Sequence, residues 1–163
     1  MKKIVYSLLA IILIASSACK KDTVKVPPKA FEDITYQDIK SLYDETGFTF
    51  QEIILKTPEG VDVLKPGSVV LYSASGIFGK LKIVNISAQN VLILDMVNYS
   101  KSTGLLISFK NGTTVTPSFC FDLITGLEVA NPDYNGFKYS LGTNIGDWKL
   151  LPFVNTRMYV YSK

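Results

Sequence analysis

The chain has 163 residues, with 17 Lys and Arg against 14 Asp and Glu and no histidine. The missing histidine excludes Ser-His-Asp and Cys-His catalysis, histidine-ligated zinc and the two-histidine iron triad. The only clusters of lysine lie in the first 33 positions and Arg157 is the sole arginine, so there is no basic face for nucleic acid.

Lys2 and Lys3 precede Ile4–Ala15, an uncharged run of apolar and small residues. A spanning helix needs about 20 apolar residues, whereas a signal-peptide core needs roughly 7–15, which this run matches. Ser16-Ser17-Ala18-Cys19 follows and resembles the lipobox of bacterial lipoproteins. The resemblance covers only the first nineteen residues. It implies cleavage after Ala18, a diacylglycerol on the Cys19 thiol and an acyl group on its freed amine. Each buried CH₂ contributes about 0.8 kcal/mol, so several acyl chains hold a protein on a membrane firmly where one holds marginally. The expected location is therefore the cell envelope, on the periplasmic or outer face of a membrane, with residues 1–18 discarded.

Without Lys2 and Lys3, 15 Lys and Arg stand against 14 Asp and Glu, so the mature chain is nearly neutral and has the size of one domain. If Cys19 is acylated, Cys120 has no disulfide partner and is expected as a buried, unreactive thiol. Lys20–Asp33 is polar, charged and broken by Pro27-Pro28, the composition of an extended tether, so residues 19–33 are expected to link the lipid to a single β domain over 34–163.

Thr35, with Asp38 three positions on, reads as a helix N-cap. Ile39, Leu42 and Tyr43 then share a face and Gly47 ends the helix, which predicts one short helix over Thr35–Glu45. From Phe48 onward the pattern is strand and turn. Strands are predicted over Phe48–Leu55, Val69–Ala74, Lys80–Ser87 and Val91–Tyr99, the last apolar on both faces and therefore central. Asn111-Gly112 predicts a hairpin between strands Leu105–Phe109 and Thr113–Phe121, with Pro117 marking an edge or a bulge. Phe137–Leu141, Asp147–Leu151 and Arg157–Tyr161 complete the set. Short, evenly spaced strands argue for a mainly β fold: an antiparallel sandwich or a small closed barrel of about eight strands.

Carboxylates remain the only plausible catalytic side chains. Asp95 interrupts the apolar run Val91–Val97, and Asp122 and Glu52 lie in or beside predicted strands. A facing pair of acids is what a carboxylate-dependent glycosidase requires. The competing reading is that Asp95 meets a bulge, a lysine or water. The oxygen-rich loop Asn131–Asn135 lacks the ligand spacing of a calcium loop, and no metal or other cofactor is expected. Three Asn-x-Ser/Thr triplets, at Asn85, Asn98 and Asn111, read as turn chemistry.

Aromatic residues crowd the C-terminal thirty positions. In the last strand Arg157, Tyr159 and Tyr161 alternate with Met158 and Val160. Met158 and Val160 make the better core face, which would leave the tyrosines in water beside Arg157. With Trp148 they form the candidate binding set, since Tyr, Trp and Arg are enriched at recognition surfaces. The expected function is a non-catalytic binding module for a glycan or peptide. The alternatives are a structural or inhibitor-type lipoprotein that binds an envelope protein and, behind it, a glycosidase.

Overall fold

The computed structural model describes residues 28–130, 135–141 and 148–163. The signal, Cys19, the tether as far as Pro27, most of the Asn131–Asn135 loop and Asp147 lie outside the described residues. Among the described residues one helix, α1 (Tyr36–Thr46), precedes ten strands: β1 (Ile53–Lys56), β2 (Val69–Ala74), β3 (Ile77–Ile86), β4 (Leu92–Ser100), β5 (Leu106–Val115), β6 (Cys120–Asp122), β7 (Leu127–Val129), β8 (Gly136–Leu141), β9 (Trp148–Pro152) and β10 (Arg157–Ser162).

The strands form two antiparallel five-stranded sheets, ordered β10-β2-β3-β4-β5 and β1-β9-β8-β6-β7. The sheets are not closed into a barrel, so the fold is a sandwich. Between them lies the main core, where Val70, Tyr72, Leu81, Leu94 and Met158 of the first sheet meet Leu55, Phe121, Phe137 and Leu150 of the second. One polar network is sealed into it. The Tyr72 hydroxyl donates to Asn98 Oδ1, and Asn98 Nδ2 donates to the Leu123 carbonyl at 2.7 Å, tying β4 to the turn after β6.

A second core covers the outer face of the first sheet and explains why all six residues of β2 are buried. Val69, Leu71, Phe78 and Val97 point away from the sandwich and are covered by Phe31, Ile34, Ile39 and Phe48. An isolated helix of eleven residues is marginal in water, so this apolar contact is what holds α1. The Thr35–Asp38 capping box and the left-handed Gly47 cap, whose N–H reaches the Tyr43 carbonyl, set its ends. The expected helix is therefore shifted by only one residue.

Four sequence expectations need correction. The tether does not extend to Asp33, because Phe31 and Ile34 are buried against the sheet and Pro28–Asp33 packs as a strap. The strand expected over Phe48–Leu55 begins at Ile53, because Phe48 has a φ of +43° and only Thr49 bridges to β10. Asn111-Gly112 is no hairpin turn, since β5 runs through it as one ten-residue strand. Pro117 ends that strand, and Thr116–Phe119 turns the chain from one sheet to the other.

Candidate binding cleft on the outer face

The strap and helix cover only part of the first sheet. Lys29 N–H donates to the Tyr161 hydroxyl on β10 at 3.0 Å. The strap then crosses to β3, where the buried Lys80 ammonium donates to the carbonyls of Phe31 and Ile34. It ends at Tyr36, whose hydroxyl donates to the Lys101 carbonyl at 2.9 Å beside the β4–β5 turn. From there α1 returns toward β10, where Phe48 stacks on Tyr159 at 5.6 Å. The outward side chains of β5 are left outside this loop.

Pairing of Val97 with Phe109 and of Tyr99 with Leu106 puts all four on this outer face. Val97 is buried and Tyr99 half-buried, but Leu106 is 61% and Phe109 56% exposed. Between them and the strap lies an open cleft of about 590 Å³, with Phe31 and Glu32 on one wall and Leu106, Phe109 and Asn111 on the other. Its floor carries charge, but the charge is matched. Lys82 Nζ lies 3.0 Å from Asp95 Oδ2 and 3.2 Å from Glu32 Oε1. The hydrogen bond to Asp95 raises the Lys82 pKa, whereas burial lowers that of Lys80. Asp95 Oδ1 also accepts the Gly112 amide at 2.9 Å. Asp95 thus meets both a lysine and a bulge.

The three carboxylates do not converge. Asp122 accepts from the Ile124 amide and the Thr125 hydroxyl in a turn of the second sheet, and Glu52 pairs with Lys149 at 3.1 Å. No group of three or more acids or cysteines able to hold a metal occurs among the described residues. Cys120 is buried, and burial raises its thiol pKa.

The expected aromatic set is also dispersed. The alternation in β10 is as predicted, with Met158 in the main core and Val160 packed against it. The opposite face is not open water, however. Tyr159 and Tyr161 are half-buried beneath the helix and strap, because Phe48 and Lys29 meet them there. Arg157 is half-buried too, its guanidinium 5.0 Å from the Phe50 ring and its Nη1 donating to the Val154 and Thr156 carbonyls. Trp148 belongs to the other sheet. It packs against the main core and has Lys56 Nζ 4.5 Å from its ring centroid, so its ring is already occupied as a stacking platform.

Comparison with protein-family models, curated proteins and solved structures gives no match. Of the residues that line the cleft, the sequence pointed to Asp95 but not to Leu106 and Phe109. Leu105-Leu106-Ile107 followed by Phe109 reads as an ordinary buried strand, and nothing local marks it as the last strand of its sheet.

Proposed function

We propose that the chain is a membrane-anchored, non-catalytic binding module that captures a polypeptide in the outer-face cleft. The observation that carries this reading is the exposure of Leu106 and Phe109 beside a cleft whose floor charges are already paired. A contiguous exposed apolar strip beside a concavity marks an interaction site. A glycan site would call for a free aromatic face among unpaired polar groups, and Lys56 covers Trp148. The peptide reading is therefore preferred to the glycan one.

Anchoring rests on Ser16-Ser17-Ala18-Cys19, with Cys19 as the lipidated residue. Among the described residues no helix is long and apolar enough to cross a membrane. The described chain enters the domain at the β10 edge, four strands from β5, so at about 4.8 Å per strand the β5 wall of the cleft stands some 19 Å from that entry. That placement suits a partner approaching away from the lipid.

The test is capture from solubilised envelope with the full chain and with a Leu106→Lys, Phe109→Lys variant. A glycan array runs in parallel. A partner retained by the wild type and lost by the variant supports the reading. Glycan binding unaffected by the variant, or equal protein capture by both, refutes it. Fatty-acid labelling tests the anchor, with label expected on the wild type and none on Cys19→Ala.

A further inference from the structure

We infer, building on that reading, that the partner is held as an added strand: an extended, uncharged peptide segment with apolar side chains at i and i+2 pairs with the free edge of β5 over Leu106–Lys110. Among the described residues β5 ends its sheet and bonds to β4 on one side only, so the other side of its backbone has no strand neighbour there. Edge strands are normally guarded against such pairing by charges, prolines, bulges or very short length. The Leu105–Phe109 stretch carries no charge and no proline, and its one guard is a bulge at Ile107, where Tyr99 pairs with Leu106 while Asn98 pairs with Ser108. It reads Leu-Leu-Ile-Ser-Phe, and Leu105 and Ile107 are 68% and 53% exposed. The next residue, Lys110, lies opposite Met96, a residue of the main core, and its ammonium reaches toward the Gly126 carbonyl at 3.4 Å.

The usable length is bounded. At Asn111-Gly112 the register with β4 slips, because Leu94 pairs with Thr113 while Met96 pairs with Lys110, and Asp95 clamps the resulting bulge through the Gly112 amide. Toward the N-terminal end Leu105 belongs to the turn from β4, its carbonyl accepting the Ser100 amide. About five residues remain between, under roughly 17 Å of strand, and the bulged Ile107 among them is what brings Leu106 and Phe109, three positions apart, to the same face. On an added strand, side chains two positions apart share a face and lie about 5 Å from their cross-strand neighbours. Two apolar side chains on the outer face would thus lean over Leu106 and Phe109 into the cleft.

Charge decides the chemistry of the occupant. Lys82 is matched by Glu32 and Asp95, and Lys80 is committed to the Phe31 and Ile34 carbonyls, so among the described residues the cleft offers a charged ligand no free counter-charge. The wall raised by Phe31 and Glu32 makes the site concave, which fits a single strand better than the broad face of a second copy. Backbone pairing supplies affinity in this mode, and the alternating side chains supply selectivity.

A random heptapeptide library displayed on phage, selected against the full chain in detergent micelles, tests the inference. The best binder is resynthesised with N-methyl groups on alternate residues, in each of the two phases. Apolar residues at i and i+2 with no charged residue between them should be enriched. One methylation phase should weaken binding at least about tenfold while the other leaves it nearly unchanged, since only one edge of the peptide meets β5. Leu106→Lys with Phe109→Lys should abolish binding, and Leu106→Thr with Phe109→Thr, which keeps strand propensity, should do the same with the fold intact. No enrichment, enrichment of charged sequences, equal tolerance of both methylation phases, or a dimer of the chain that depends on Leu106 and Phe109 would overturn it. If envelope capture needs Leu106 and Phe109 but both methylation phases bind alike, strand addition fails and the cleft reading stands. If capture ignores those residues, the cleft reading itself fails.

Discussion

Asp95 Oδ1 accepts the backbone N–H of Gly112 at 2.9 Å, joining two sequence features that pointed to different things, an acid inside an apolar strand and an Asn-Gly pair. Gly112 has a φ of +61°, which the bulge requires and which L residues adopt at a cost. Asp95→Ala removes a charge-assisted acceptor and is expected to destabilise the fold by about 1–3 kcal/mol. A Cβ on Gly112 would meet nothing within 4 Å, so Gly112→Ala should cost only backbone strain, about 1–2 kcal/mol. Urea unfolding of both variants checks the pair, and exchange of the Gly112 amide should accelerate in Asp95→Ala.

Lys80 holds the strap from below. Lys80→Met keeps most of the apolar stem but leaves the Phe31 and Ile34 carbonyls without their donor. An unsatisfied buried carbonyl costs about 1–3 kcal/mol, so a loss of at least that size is expected. Hydrogen exchange localises it: Asp33 and Ile39, whose amides bond within the strap and first helical turn, should lose protection while β6 and β8 keep theirs.

Acid should loosen the same strap through Asp38. The hydrogen bond from Lys29, then that from the Thr35 amide, holds the Asp38 carboxyl down at about 2 from its ordinary 3.8. A depressed carboxylate pKa contributes stability that is complete above the unfolded value and lost as pH falls through the folded one. The stability gap between wild type and Asp38→Ala, expected near 1 kcal/mol at neutral pH for loss of the capping partner, should therefore close between pH 3.8 and about 2. Denaturant titrations across that window measure it. A gap that stays constant to pH 2 would show that the Lys29–Asp38 contact contributes little.

Gly79 is needed for space. It lies opposite Tyr72 across β2 and β3, and a Cβ there would fall 2.1 Å from Tyr72 Cζ. Tyr72 is fully buried and bonded to Asn98, so its ring cannot swing aside. Gly79→Ala should destabilise by about 3 kcal/mol or more, the upper range for overpacking. Tyr72→Phe should not rescue it, because the ring carbon itself collides, whereas Tyr72→Leu should recover part of the loss. Thermal unfolding of the three variants decides this.

The parts of the fold legible in the sequence were those fixed by local chemistry. Thr35, Asp38 and Gly47 define α1 through bonds made within a turn of each end, and β2 and β4 showed as apolar runs between turn residues. Asn-Gly misled because a hairpin turn and a bulge both need a positive φ, and only the pairing of β5 with β4 distinguishes them. The alternation of Tyr159 and Tyr161 was readable, but what covers them was not. Phe48 and Lys29 arrive from over a hundred residues away. The exposure of Leu106 and Phe109 is likewise a consequence of strand order, which no local pattern encodes.

Site-specific photocrosslinking in living cells tests the central claim most directly. A benzoylphenylalanine placed in turn at Leu106, Phe109, Trp148, Arg157 and Val154 reports which surface touches a partner. Crosslinked polypeptide is expected from positions 106 and 109 and not from the other three. Crosslinks confined to Trp148, or to Arg157 and Val154, with none from β5, would contradict it.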